Sequence, residues 1–216
     1  MNGNDQPLLP ARTYPVSLVL EGQPCLVVGG GPVAARKAQG LARCGARVTV
    51  VARDVNEAVD RLAQDHDVTI ERRAYQEGEA ARYRLVITAT GVADVDAMVA
   101  ADARAGGVWV NSADDPEHCT FMLPAVHRDG RVTVAVSTGG ASPALAVWLR
   151  DRAAEACGEG IGALSEVLAQ ARREIRAAGR HTEPANWHGL LDGPLLQLVR
   201  DGRLDEARRL VHQAIG

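Results

Sequence analysis

A continuous apolar run, Cys25–Val28 (C-L-V-V), breaks directly into G-G-G-P-V-A, and a helical pattern over residues 32–44 follows. Four apolar residues without alternation suit a strand buried on both faces of a parallel sheet. Gly29, Gly31 and Ala34 match the pattern G-x-G-x-x-A, in which a chain turns tightly from strand to helix and leaves bare N–H groups at the helix start. Gly45 stops the helix, and a second strand is expected over 47–52, about 20 residues past the turn, as a dinucleotide fold requires. The turn is therefore expected to bind a pyrophosphate. Gly29 permits the turn, Gly31 lets phosphate approach the backbone, and Ala34 keeps helix and strand close. Gly30, Pro32 and Val33 complete the expected cofactor lining.

The alternation continues along the first half of the chain. A helix is expected over 54–65, a weaker strand over 67–72, a strand over 84–90, a helix over 94–105 and a strand over 108–112. Tyr14–Leu20 reads as one more strand, and residues 1–12 as a flexible tail. This rhythm predicts an α/β fold with a doubly wound, Rossmann-like parallel sheet and right-handed crossovers. It changes after Asn111, with the boundary expected near residue 113. Extended runs over 120–126 and 131–137 flank R-D-G, a hairpin signal. From Ser142, which can cap a helix with Pro143 in its first position, the pattern is helical. The first helix ends at Gly158, and others are expected over 161–179, 192–200 and 204–214. The expected domains are the tail 1–12, a dinucleotide-binding domain 13–113, a central segment 114–142 and a helical domain 143–216.

Composition narrows the class. The 216 residues carry a formal charge of -3 and 3% aromatics, so neither a basic nucleic-acid footprint nor a base-stacking surface is expected. Cys25, Cys44, Cys119 and Cys157 lack zinc-finger spacing and fit a reducing cytoplasm better than a disulfide framework. The polar N-terminus does not resemble a signal peptide, and no apolar run approaches the ~18 residues a membrane helix needs. A cytoplasmic protein with no membrane or nucleic-acid partner and no bound metal is expected.

Three further segments carry candidate chemistry. Arg53 and Asp54 follow the second strand, where an acid would hold the adenosine ribose or an arginine would meet a 2′-phosphate; the two residues leave NAD and NADP both open. Thr88, Ala89 and Thr90, in T-A-T-G, lie at the carboxyl end of a central strand, the edge at which open α/β sheets bind ligands. In N-S-A-D-D-P-E-H-C, Asp115 can cap a helix start that Pro116 and Glu117 continue, which leaves Asp114 for chemistry. Two adjacent carboxylates would also raise a pKa toward the range of a useful base. His118 and Cys119 are adjacent and so poorly placed to share an ion on a helix.

Three stretches together, V-V-G-G-G-P-V-A-A-R-K, N-S-A-D-D-P-E-H-C-T-F-M-L-P-A and V-A-V-S-T-G-G-A-S-P-A-L-A, resemble the precorrin-2 dehydrogenase family of sirohaem synthesis, the type at the N-terminus of sirohaem synthases. The likeness covers roughly residues 14–155. It implies NAD-dependent oxidation of precorrin-2, a tetrapyrrole with eight carboxylates, to sirohydrochlorin. Some members also act as sirohydrochlorin ferrochelatases, and whether this chain inserts Fe²⁺ or Co²⁺ as a second substrate stays open. The resemblance assigns the family's aspartate to Asp114 as the catalytic group. It places Thr138 near the substrate, and the helix entrance with Gly139, Gly140 and Ser142 offers hydroxyl and N–H groups that suit a substrate carboxylate; Asn111 completes the expected substrate contacts. The resemblance also implies a homodimer formed through the central hairpin segment and helices. One departure is Val147, where the family often has Arg; Arg150 is the nearest basic replacement. The alternatives are a dehydrogenase without chelatase activity and an NAD(H)-sensing regulatory domain.

Overall fold

The computed structural model describes residues 13–65, 67–113, 115–179 and 187–215. They form two compact units, the first running to Leu123 and the second starting at Pro124. The first unit contains β1 (Pro24–Val28), α1 (Pro32–Ala42), β2 (Arg47–Ala52), α2 (Glu57–Asp65), β3 (Val68–Arg72), β4 (Leu85–Thr88), α3 (Ala93–Ala105) and β5 (Trp109–Ser112). All five strands are parallel, in the order β3-β2-β1-β4-β5. Side chains alternate across the sheet, which separates two cores. Cys25 and Val27 of β1 pack with Ala34, Ala38 and Leu41 of α1 and with Val59 and Leu62 of α2. Leu26 and Val28 share the other core with Val99, Ala100 and Ala103 of α3. Strands covered on both faces explain the unbroken apolar runs.

The strand expected at Tyr14–Leu20 does not form; the segment is in no ladder, and within it only Leu20 is buried. It enters β1 through a turn in which Gln23 N–H donates to Leu20 O, and both edges of β1 are already filled by β2 and β4. An apolar run beside a central strand has no edge to pair with. The strand expected from residue 120 begins at Ala125 instead. Residues 120 and 121 are held by β5: Thr120 N–H donates to Val110 O at 2.8 Å, and Asn111 Nδ2 donates to Phe121 O at 3.0 Å. The first ten residues of the expected central segment thus lie in the first unit.

The second unit opens on the hairpin β6 (Ala125–Asp129) and β7 (Val132–Val136), antiparallel, with Asp129 opposite Val132 across a two-residue turn. Helices α4 (Pro143–Cys157), α5 (Ile161–Ala177), α6 (Trp187–Leu191), α7 (Leu195–Arg200) and α8 (Leu204–Ile215) follow. Leu164, Val167, Ala171, Leu195, Val199, Ala207 and Val211 make the core of α5, α7 and α8. Ser142 caps α4 by accepting from Leu145 N–H at 3.2 Å, with Pro143 first in the helix. The helix expected over 192–200 forms as α7 but starts at Leu195, with Pro194 at its N-cap, and α6 before it was not expected. The architecture is the expected one: a Rossmann-like parallel sheet, a β-hairpin and C-terminal helices.

Candidate functional site

The strand order reverses between β1 and β4, the topological switch point at which doubly wound sheets open a crevice. Val28 is level with Thr88, so the glycine turn and the T-A-T-G segment leave the sheet side by side. The three glycines play different parts. Gly29 has a φ of 131°, and a side chain there would come within 2.3 Å of Ala89 O. A side chain on Gly30 would lie 1.9 Å from Asp54 O, and Gly30 O accepts from Asn56 N–H at 2.9 Å. These two positions are closed by the protein itself. Gly31 faces open space, with nothing within 4 Å of a Cβ placed there.

Gly31 is also the N-cap of α1, and no side chain caps it. Pro32 has no N–H, and the first intrahelical donor is Ala35, which reaches Gly31 O at 3.0 Å. Val33 and Ala34 therefore hold the bare donors of the first turn. Ala34 is buried and Val33 exposed, as a helix packed closely on its strand requires. A cradle that any side chain would fill, lined by free N–H groups at the positive end of a helix dipole, fits a dinucleotide pyrophosphate.

Arg53 and Asp54 are both exposed at the end of β2, beside this cradle. Asn56, absent from the sequence-based candidates, fastens their loop. Its N–H binds Gly30 O, and its Oδ1 accepts from Val59 N–H at 3.0 Å, capping α2. This cap moves the start of α2 from the expected residue 54 to Glu57, and an Asn directly before E-A-V-D-R-L was its signal.

Thr88 is fully buried and donates from Oγ1 to Asp96. Thr90 donates to the same carboxylate oxygen from N–H at 3.2 Å and from Oγ1 at 2.8 Å. The Thr88 hydroxyl is thus occupied within the protein. The cofactor-facing material of T-A-T-G is backbone, with Ala89 N–H bound to Val28 O at 2.8 Å. Asp96 is the residue sequence reasoning missed here. Its signal was an acid in the first turn of α3, the helix that follows a Thr-rich strand end, which a pairwise pattern does not single out.

Ala113 N–H donates to Thr88 O at 2.9 Å, which brings the end of β5 to the same carboxyl edge. Asp114 follows and lies outside the described residues. Asn111 is buried and spends its amide on Phe121 O and on Cys119 Sγ, the latter at 3.4 Å. Cys119 Sγ also accepts from Ser112 N–H at 3.2 Å, and burial pushes its thiol pKa up, away from a reactive thiolate. Asp115 caps the 3₁₀ turn Pro116–His118 through Glu117 N–H at 3.1 Å, and its Oδ2 meets His118 Nδ1 at 2.5 Å. The bond to His118 holds the Asp115 carboxyl below its ordinary pKa. Asp115 thus stays ionised beside Asp114, with His118 as its partner.

Thr138, Gly139, Gly140 and Ser142 belong to the second unit. Thr138 Oγ1 accepts from Ser142 N–H and donates to Ser142 O, both at 3.0 Å, closing a ring across two left-handed glycines with φ of 62° and 87°. Val147 is exposed, and Arg150 pairs with Asp151 at 2.5 Å.

Comparison with known proteins agrees with this geometry. Residues 16–125 match the family described as putative NAD(P)-binding, and residues 129–152 match the sirohaem biosynthesis protein central family. A siroheme synthase of Methylococcus capsulatus is 37% identical over 202 residues, covering 93% of this chain and 43% of the relative. Those of Nitrosococcus oceani and Acinetobacter baylyi are 36% and 34% identical, with 93% and 94% of this chain and 43% and 45% of theirs covered. The chain thus spans less than half the length of these relatives. The solved structure of SirC, precorrin-2 dehydrogenase, aligns with a TM-score of 0.71 at 25% identity over 94% of this chain and 98% of that one.

Proposed function

Because the chain belongs to the precorrin-2 dehydrogenase family of sirohaem biosynthesis, we propose that it oxidises precorrin-2 to sirohydrochlorin with NAD⁺ as acceptor. The observation that carries this reading is the open, uncapped start of α1 at Gly31, two residues past Gly29, which packs against Ala89 at the switch point. When bound, the nicotinamide supplies the hydride acceptor. The chain's own residues bind the diphosphate at Val33 and Ala34, keep the crevice narrow through Gly29 against Ala89, and fix the T-A-T-G backbone through Asp96. Asp114 is the base that takes the proton released as the macrocycle loses its hydride. Products balance as sirohydrochlorin, NADH and one proton.

The test is an anaerobic assay of the purified chain with enzymatically prepared precorrin-2. One NADH is expected for each sirohydrochlorin formed, read from the two absorbance bands. A folded chain that binds NAD⁺ yet yields neither product would point to the NAD(H)-sensing alternative instead.

The substrate-bearing assembly is a homodimer on this reading. Among the described residues of α4 only Ala146 is buried, while Leu145, Val147, Trp148 and Leu149 are 47%, 42%, 58% and 38% exposed. Positions 145, 148 and 149 share one face of the helix. An isologous contact would cover this face with its copy on a second chain. Light scattering at micromolar concentration is expected to give twice the chain mass of 22.9 kDa. Trp148→Glu is expected to shift the population to monomer, and a parent that is already monomeric rules the contact out. Among the described residues no helix is long and apolar enough to cross a membrane.

A further inference from the structure

The turn that carries Asp114 leaves β5 at Ser112 and is back beside the strand at Thr120. There Thr120 N–H donates to Val110 O, and Val110 N–H donates to Thr120 Oγ1, both at 2.8 Å. Inside the closed turn, four polar contacts meet on one sulfur. Cys119 Sγ accepts from Ser112 N–H at 3.2 Å and from Asn111 Nδ2 at 3.4 Å. Its thiol hydrogen has Ser112 O at 3.3 Å and Asp115 O at 3.4 Å as acceptors. Burial pushes the thiol pKa up, so the sulfur keeps that hydrogen. The buried Asn111 amide is shared between this sulfur and Phe121 O at 3.0 Å. The pattern N-S-A-D-D-P-E-H-C thus begins and ends on the two side chains that meet. Both chain neighbours of Asp114 are fixed: Ala113 N–H on Thr88 O at 2.9 Å, and Asp115 O on Cys119. A base must sit within hydrogen-bond reach of its proton, and a displacement of about 1 Å can cost on the order of 100-fold.

We propose that Asn111 and Cys119 are positioning residues for the oxidation: their shared hydrogen bonds hold the turn so that Asp114 stays fixed at the carboxyl edge of the sheet. Cys119 does this as a neutral thiol, through backbone on both sides of Asp114, and takes no part in the chemistry. This inference rests on the reading of Asp114 as the base.

A double-mutant cycle on the purified chain, assayed with precorrin-2 and NAD⁺, tests it. Cys119→Ala is expected to lower kcat about tenfold or more and to leave the NAD⁺ Kd within about twofold of the parent. Cys119→Ser, which keeps a donor and an acceptor, is expected to recover part of that loss. In the Asp114→Asn background, Cys119→Ala is expected to lower turnover by less than about twofold, because the group it positions has already lost its basicity. A merely structural role would lower turnover by the same factor in both backgrounds. That result, or a folded Cys119→Ala with parental kcat, overturns the inference and leaves the base reading standing. Where Cys119→Ala fails to fold, Asn111→Ser, which leaves the sulfur in place, goes through the same cycle with the same expectations. Asp114→Asn at parental turnover, or a parent that does not turn over precorrin-2, overturns both.

Discussion

Asp114→Asn is expected to lower precorrin-2 turnover ~100-fold or more, the usual size of a lost general base. The substitution keeps the volume of the side chain and removes its charge and basicity. NAD⁺ affinity is expected to survive, because the diphosphate cradle is formed at Gly31, Val33 and Ala34 on a separate turn. Where the parent inserts Fe²⁺, insertion should fall in parallel if one carboxylate serves both steps. Loss of insertion alone would mean that the hydride step needs no base here. Activity near the parent level would make Asp114 a loop charge. Asp115→Asn is the control. Asp115 caps Glu117 N–H and pairs with His118, so its loss should lower thermal stability more than turnover. Because its carboxyl pKa is depressed in the folded chain, the stability it adds is present above its ordinary carboxylate pKa and disappears as pH falls through the lowered folded value. A melting-temperature difference between parent and Asp115→Asn should therefore shrink in acid. A large kinetic loss at Asp115 instead of Asp114 would assign the base to the other member of the pair.

The glycine turn should split into a folding part and a binding part. Gly31→Asp is expected to leave the melting temperature near that of the parent, since nothing lies within 4 Å of the Cβ it adds. The same variant should bind NAD⁺ at least tenfold more weakly, about 1.4 kcal/mol, because the carboxylate takes the place and charge of the diphosphate. Gly29→Ala should behave in the opposite way. Its Cβ would start 2.3 Å from Ala89 O at a φ of 131°, so backbone on two neighbouring strand ends must part. The loss should exceed the ~1–3 kcal/mol of a strained backbone position and appear as a large fall in melting temperature or as insoluble protein. Unchanged NAD⁺ affinity in folded Gly31→Asp would move the cofactor away from this turn.

Much of the fold follows from local signals that no distant contact opposed. The run C-L-V-V before G-G-G-P-V-A announced a doubly covered strand and an uncapped helix start, and Ser142-Pro143 announced the start of α4; each depends on a few adjacent residues. The motif N-S-A-D-D-P-E carried its own 3₁₀ turn, because Asp115 caps within two residues of itself. Elements failed where pairing depends on edges elsewhere. Tyr14–Leu20 has strand composition, but it arrives beside β1, whose edges β2 and β4 occupy. Residues 120 and 121 look extended, yet they are used to cover β5 before the hairpin begins.

The candidate site divides along the same line. The sequence alone determined that the glycine turn and the T-A-T-G segment leave the sheet side by side, since a strand–turn–helix alternation with right-handed crossovers sends them to one sheet edge. Only the tertiary structure decided what each is free to do. Thr88 is consumed by Asp96, Asn111 by Phe121 and Cys119, and Gly30 by Asp54, whereas a Cβ at Gly31 would meet nothing and the exposed Arg53 has no side-chain partner among the described residues. Spacing along a chain fixes where backbone goes, but a hydrogen bond or a steric contact between residues distant in sequence is a property of packed atoms, and it appears only once the sheet has closed.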